Sequence, residues 1–174
     1  LTLSLICGYS TRQVDYVQAY PQADVDCNVF MEVPAGFHVR QSDENIEWCG
    51  ISRRSPSDPR TYVLKLKKNL YGLKQAGRNW FLRLRQGLLD RGFTQSQVDP
   101  CLFYRGSLYL IVYVDDCLVF AKDEAEIDSV LASLRSEFVL TDEGTVNAFL
   151  GIDVRKLDDG RFELTQPGLI DRIV

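Results

Sequence analysis

Leu108-Tyr109-Leu110-Ile111-Val112-Tyr113-Val114-Asp115-Asp116-Cys117-Leu118-Val119-Phe120 is the stretch whose pattern decides the fold. It is apolar on both alternating faces, Leu108, Leu110, Val112 and Val114 against Tyr109, Ile111 and Tyr113. Only Asp115-Asp116 interrupts it before Leu118-Val119-Phe120 resumes. Such a run reads as a buried hairpin with two carboxylates at its tip. Adjacent ionised carboxylates on a buried hairpin are costly, because like charges in contact repel and each loses hydration. A divalent cation removes both penalties, and phosphoryl transfer on two ions roughly 3.5–4 Å apart needs carboxylates from more than one element. Asp is common in ordinary turns too, but the apolar flanks on both sides separate this pair from that reading.

Outward from the hairpin the pattern is mixed. Gln13 to Tyr20 reads as a short strand running into a turn at Pro21, with Val14 and Tyr16 alternating around Asp15. Asp15 is therefore the natural third carboxylate. Asn28 to Val33 reads as a strand that stops at Pro34-Ala35-Gly36, and Tyr62 to Leu66 as another. Between them, residues 38–60 are polar, rich in Ser, Arg, Asp and Pro, and aperiodic, which predicts a surface loop or insertion. Trp80, Phe81, Leu84 and Leu88 have helical spacing, so Trp80 is assigned to the core and the helix is expected to end near Arg91-Gly92. Asp123 and Glu126 form a capping-box-like start to a helix whose face is Ile127, Val130, Leu134 and Phe138. Phe149 to Gln166 reads as two strands around a turn at Asp158-Asp159-Gly160. The expected fold class is α+β, an antiparallel sheet backed by helices.

Composition narrows the chemistry. An apolar fraction of 45% in 174 residues suits a globular domain with a real core. The five cysteines contain no C-x-x-C pair and His38 is the only histidine, which argues against structural zinc, a disulfide framework and histidine-based nucleophile schemes. Cys117 is read as a small packed residue beside the carboxylates. No apolar run approaches the roughly 20 residues of a membrane span, and Leu1 to Gly8 has no signal pattern, so an intracellular piece of a longer protein is expected. Lys65 to Arg85 holds seven basic residues and no acidic one; with a net charge of −4 overall, −11 falls on the remainder. A basic stripe beside an acidic remainder suits phosphate binding in one place and metal binding in another.

Four stretches together resemble the copia-type retrotransposon reverse transcriptases: Val14-Asp15-Tyr16-Val17-Gln18-Ala19-Tyr20; Val29-Phe30-Met31-Glu32-Val33-Pro34-Ala35-Gly36-Phe37; Leu70-Tyr71-Gly72-Leu73-Lys74-Gln75-Ala76-Gly77-Arg78-Asn79-Trp80; and Tyr113-Val114-Asp115-Asp116. Phe149-Leu150-Gly151-Ile152 adds a weaker fifth. The resemblance implies a polymerase palm with a ferredoxin-like or RNA-recognition-like core, one domain over 1–174, with fingers and thumb largely missing. It implies Asp15, Asp115 and Asp116 as catalytic ligands of two Mg²⁺ ions, with Mn²⁺ as the alternative. It matches Tyr20 to the residue on which the incoming sugar packs, Gln75 to a nucleotide contact, Lys74 and Arg78 to phosphate contacts, and Phe149 to Ile152 to the primer grip. Taken without the resemblance, Tyr20 reads equally as core, and Lys74 and Arg78 as a solvated helix face.

The implied reaction is RNA-directed DNA synthesis, with deoxynucleotides added to a primer on an RNA or DNA template. The implied setting is a polyprotein with protease, integrase and ribonuclease H neighbours in cytoplasmic virus-like particles. Two departures stand out. Tyr20-Pro21-Gln22-Ala23 replaces a Phe-Leu-Asn-Gly-like continuation, and the resemblance leads us to expect that the fingers upstream of Asp15 are almost wholly missing from these 174 residues and that they stop before a thumb or ribonuclease H domain, so the chain alone is expected to be a poor polymerase. The alternatives are an inactive relic of such an element, or a non-enzymatic RNA-recognition-like binding module with aromatics on an exposed sheet face.

Overall fold

The computed structural model describes residues 8–32, 34, 63–159 and 161–173; the expected surface loop at 38–60 lies outside them. Eleven strands and four helices follow in chain order among the described residues. They are β1 (Ser10–Tyr16), α1 (Ala19–Gln22), β2 (Phe30–Glu32), β3 (Val63–Lys65), α2 (Ala76–Asp90), β4 (Thr94–Gln95), β5 (Leu102–Arg105), β6 (Leu108–Tyr113), β7 (Asp116–Ala121), α3 (Glu124–Arg135), β8 (Leu140–Gly144), β9 (Ala148–Phe149), β10 (Ile152–Lys156), β11 (Phe162–Thr165) and α4 (Pro167–Ile173).

The main sheet has six strands in the order β4-β5-β6-β7-β1-β8, and every neighbouring pair is antiparallel. The architecture is α+β, a mainly antiparallel sheet backed by helices. Strand β1 is thus inserted between β7 and β8. Arg12 ties it there, reaching Asp142 on β8 at 2.9 Å and Glu124 at the start of α3. Smaller sheets form from β11-β10-β9 and β2-β3.

The two faces of the main sheet explain the double-sided apolar pattern of the hairpin. Val14 and Tyr16 of β1, Leu108, Leu110 and Val112 of β6, and Cys117 and Val119 of β7 face the helices, against Trp80, Leu84 and Leu88 of α2 and Ile127, Val130 and Leu134 of α3. On the other face Leu118 and Phe120 pack against Val146, Val154, Phe149 and Phe162, beneath the β9–β11 sheet. A strand covered on both sides has no polar face to display.

The helix ends follow local rules. α2 closes with Gly92 at φ +78, Phe93 N–H donating to Leu88 and Gly92 N–H to Leu89, a Schellman arrangement that satisfies the last carbonyls. Asp123 caps α3 by accepting from Ala125 N–H at 3.0 Å. The reciprocal capping-box bond is not what Glu126 makes; its carboxylate accepts from Ser107 Oγ at 3.1 Å. Strand β1 ends at Tyr16, earlier than the sequence pattern suggests. Gln18 turns left-handed at φ 50 and starts the short α1, so Tyr20 lies in a helical turn rather than a strand. Pro21 is tolerated there because the first helical turn has no intrahelical partner for its missing N–H. Among the described residues no helix is long and apolar enough to cross a membrane.

Candidate active site

The site is built where β1 meets the β6–β7 hairpin. Asp15 and Asp116 are direct cross-strand partners, and Tyr113 pairs with Asp116 to close the hairpin. The Tyr16 N–H donates to the Asp115 carbonyl at 2.9 Å, which fastens the turn to β1 just beyond the last ladder pair. Side chains alternate along a strand and direct partners share a face. Val14, Tyr16 and Cys117 point to the helices, so Asp15 and Asp116 point to the opposite, more open face. The hairpin corner is strained: Val114 has φ 58, a region β-branched residues rarely enter. Its carbonyl accepts the Trp80 Nε1–H at 2.6 Å.

The three aspartates interact pairwise. Asp15 is held above the ordinary carboxylate range by partial burial first and by repulsion from Asp115 second. Asp116 is raised by burial, then Asp115, then Asp15. The causes of both shifts are burial and neighbouring aspartates. Hard carboxylate oxygens that repel one another fit a divalent cation. Among the described residues, no three His, Cys, Asp or Glu side chains converge closely enough to form a coordination sphere as they stand.

Tyr71 lies beside the cluster, and Tyr20 packs on Tyr71. The Tyr20 ring lies 4.5 Å from that of Tyr71, centroid to centroid. The Tyr20 hydroxyl also sits over the start of α2, 3.4 Å from where a Cβ on Gly77 would be. Burial raises the Tyr71 phenol, and Asp115, Tyr20 and Asp15 raise it further, which places Tyr71 within the field of the aspartates. Sequence reading gave Tyr71 no role, although it lies inside one of the quoted stretches.

The remaining expected residues spread along the neighbouring surface. Gln75 stands at the N-cap of α2, and its side-chain amide donates to Cys27 Sγ at 3.6 Å. Lys74 is exposed ahead of that helix. Arg78 is exposed and lies 3.9 Å from Asp26, and Lys68 pairs with Asp24 at 2.6 Å. Part of the basic stripe is therefore answered by carboxylates from the segment after α1. Phe149-Leu150-Gly151-Ile152 forms a tight β9–β10 corner with Leu150 at φ 51 and Gly151 at φ 77, the positive pair of a type I′ turn. Phe149 packs on Leu118 and Phe120, on the sheet face that also carries Asp15 and Asp116.

Polar side chains that sequence reading missed hold these segments in place. Gln22 bridges Val17 O at 2.8 Å and Val139 O at 2.9 Å, and accepts from Val139 N–H at 2.9 Å. Fully buried Asn69 donates to Asp24 O at 2.8 Å and Ala23 O at 3.1 Å, and accepts from Asn79 Nδ2 at 3.4 Å. These bonds join the segment after Tyr20 to the helix after Gln75.

Comparison with known proteins identifies the family. The family profile described as Reverse transcriptase (RNA-dependent DNA polymerase) matches residues 1–174. The chain is 36% identical over 157 residues to the retrovirus-related Pol polyprotein from transposon RE1 of Arabidopsis thaliana, covering 88% of this chain and 10% of that protein. It is 27% identical over 180 residues to the Pol polyprotein from transposon TNT 1-94 of Nicotiana tabacum, 100% of this chain and 12% of that protein. A putative transposon Ty5-1 protein of Saccharomyces cerevisiae is 28% identical over 156 residues, 87% of this chain and 45% of that protein. The chain thus spans about a tenth of the length of the plant polyproteins it matches. It belongs to the reverse transcriptase (RNA-dependent DNA polymerase) family, of the copia-type retrotransposon kind.

Proposed function

We infer that the chain is the palm of an RNA-directed DNA polymerase, a single domain over 1–174 with residues 38–60 as a surface insertion, and that Asp15, Asp115 and Asp116 are its catalytic carboxylates. The observation that carries this reading is the register: β1 and β7 set Asp15 opposite Asp116, and the Tyr16 N–H holds Asp115 beside them. Bound Mg²⁺, with Mn²⁺ as the alternative, would supply Lewis acidity to a primer 3′-OH and charge neutralisation to a triphosphate. The three aspartates would hold it as ligands; the raised carboxyls of Asp15 and Asp116 reflect partial burial first and neighbouring aspartates second, and do not make them acid–base groups. Tyr20, backed by Tyr71, offers a flat ring for the sugar of the incoming deoxynucleotide and excludes a 2′-OH by volume. Gln75, Lys74 and Arg78 at the start of α2 contact the nucleotide and phosphates by charge-assisted hydrogen bonds. The Phe149–Ile152 corner, on the same sheet face as the aspartates, grips the primer.

The wider setting we propose is a Pol polyprotein with protease, integrase and ribonuclease H neighbours, working in cytoplasmic particles on a primed RNA or DNA template; the similarity to proteins named Pol polyproteins supports the polyprotein context. The test is primer extension on an RNA template by the complete reverse transcriptase that contains this chain. Asp115→Asn and Asp116→Asn should each abolish extension while leaving the fold intact. Retained synthesis in both variants overturns the assignment. A second reading, a binding module without catalysis, is favoured by Tyr104 and Tyr109, which are cross-strand partners and both exposed on the face opposite the helices. Template binding abolished by replacing those tyrosines, in a protein that never extends a primer, would favour it.

A further inference from the structure

Trp80 is 1% exposed and its ring is packed edge-on to Tyr16 at 5.2 Å and Phe138 at 5.9 Å, so helical spacing assigns it correctly to the core. Its polar atom does something else. The indole N–H leaves the α2 surface and donates to the carbonyl of Val114 at 2.6 Å. Val114 is the first corner residue of the β6–β7 turn and holds φ 58, a conformation that costs a β-branched residue energy and persists only where the surroundings enforce it. The β6–β7 ladder does not enforce it, because its last pair is Tyr113 with Asp116, before the corner.

Packing does not enforce it either. A largely apolar cavity of about 220 Å³ lies between α2 and the corner, lined by Gly77, Phe81, Cys101 and Val112 together with Trp80, Tyr113 and Val114. The corner overhangs this space, and an apolar lining offers the Val114 carbonyl no substitute donor. Two hydrogen bonds therefore fix the turn, Trp80 to the Val114 carbonyl on the helix side and the Tyr16 N–H to the Asp115 carbonyl on the β1 side. In so short a corner, rotation of the Val114 peptide swings Asp115 directly.

We propose that Trp80 is a positioning residue for nucleotidyl transfer, its indole N–H holding the strained Val114 peptide so that Asp115 and Asp116 present their carboxylates together with Asp15. This rests on the catalytic assignment of those aspartates. It separates the ring of Trp80, which the fold needs, from the N–H, which the reaction needs.

The test uses the complete reverse transcriptase that contains this chain. Trp80→Phe keeps the buried ring and removes the donor. Single-nucleotide addition should lose roughly ten- to hundredfold in kcat, with KM for the nucleotide within about twofold, since ligand placement and not substrate binding is disturbed. Adding Val114→Gly to Trp80→Phe should recover severalfold of the loss, because glycine takes a positive φ without strain and no longer needs the anchor. A merely structural tryptophan would lower the folded fraction and gain nothing from a glycine at 114. Should Trp80→Phe fold poorly, the unmutated enzyme gives an independent reading: the ¹⁵N-labelled Trp80 indole resonance should shift on adding Mg²⁺, and should not in Asp116→Asn. Parental kcat in Trp80→Phe, absence of rescue, or an indole signal indifferent to Mg²⁺ each overturns the proposal. An active Asp116→Asn enzyme would instead overturn the catalytic assignment beneath it.

Discussion

Asp15 and Asp116 face each other as direct partners across the β1–β7 pair, though they lie about a hundred residues apart in the chain. Like charges directly opposite on a sheet are destabilising. Both carboxyls are raised, by burial first and then by neighbouring aspartates. The arrangement makes the protein's stability depend on metal and pH in a defined direction.

In the unfolded chain both groups return to ordinary carboxylate values near about 4. The folded state binds their protons more tightly, so their contribution to stability is fully present below that pH and is lost as pH rises through the raised folded values. Asp24, Asp26 and Asp159 act with the opposite sign, held low by Lys68, Asn79 and Arg161 respectively. The comparison must therefore be between the parent and Asp116→Asn in EDTA. Asp116→Asn should melt at a higher temperature than the parent at pH 7.5, the gap should close toward pH 4, and Mg²⁺ should stabilise the parent more than the variant. A gap that widens on acidification would contradict the electrostatic account.

If Tyr20 packs on the sugar as proposed, Tyr20→Val should raise ribonucleotide use relative to deoxyribonucleotide use by roughly an order of magnitude or more, because it removes volume there. The Tyr20 ring is steadied by Tyr71 at 4.5 Å, so Tyr71→Ala should relax the same discrimination more weakly. Competition between the two nucleotide types in primer extension measures both. Unchanged selectivity in Tyr20→Val would return Tyr20 to a packing role.

The fold was legible where one residue period met one environment. The hairpin reads clearly because β7 is covered on both faces, by α2 and α3 on one side and the β9–β11 sheet on the other. Trp80, Leu84 and Leu88 read as helix because one stripe of α2 meets the core. Strands β4 and β8 did not read, being respectively two residues long and an edge strand of sequence Leu-Thr-Asp-Glu-Gly with no apolar alternation. The end of β1 was overrun because the left-handed turn at Gln18 leaves no compositional mark. The aspartates were legible as types in an apolar context. Gln22, Asn69 and Tyr71 were not, since bonds between distant segments have no periodicity, and the second task of Trp80 was hidden behind its helical spacing.

Gly87 lies in the middle of α2, where alanine would ordinarily gain about 1 kcal/mol in helix propensity. Here a Cβ would fall 2.7 Å from two atoms of the Phe138 ring. That ring cannot yield freely, being packed edge-on to Tyr16 and Trp80, with the guanidinium groups of Arg83 and Arg91 at 5.5 and 5.9 Å. Overpacking of this kind costs typically about 1–3 kcal/mol and a hard clash sits at the upper end. Gly87→Ala should therefore lower unfolding free energy by roughly 1–2 kcal/mol in denaturant titration. A stabilised variant would show that Phe138 has space to move.

Tyr16 contributes a ring the core needs and a hydroxyl it does not. The side chain is 1% exposed, stacked edge-on with Trp80 at 5.2 Å and Phe138 at 5.8 Å, and its hydroxyl has no hydrogen-bond partner among the described residues. Burial holds the phenol well above its ordinary value, so it stays protonated through the working range and supplies no charge. A buried donor without a partner costs stability, whereas replacing it by an apolar group of the same shape removes that cost. Tyr16→Phe should leave unfolding free energy unchanged or raise it by up to about 1 kcal/mol, and at this chain length each kcal/mol moves the melting midpoint by about 2–4 °C. Extension activity should persist in the complete enzyme, because the group that touches the β6–β7 turn is the Tyr16 backbone N–H, which the substitution retains. Tyr16→Ala is the contrasting case. It opens a cavity at the centre of the aromatic cluster, should cost roughly 3–5 kcal/mol, and should lower activity along with stability by loosening that N–H from Asp115. A loss of more than about 1 kcal/mol in Tyr16→Phe would mean that the hydroxyl is hydrogen-bonded after all.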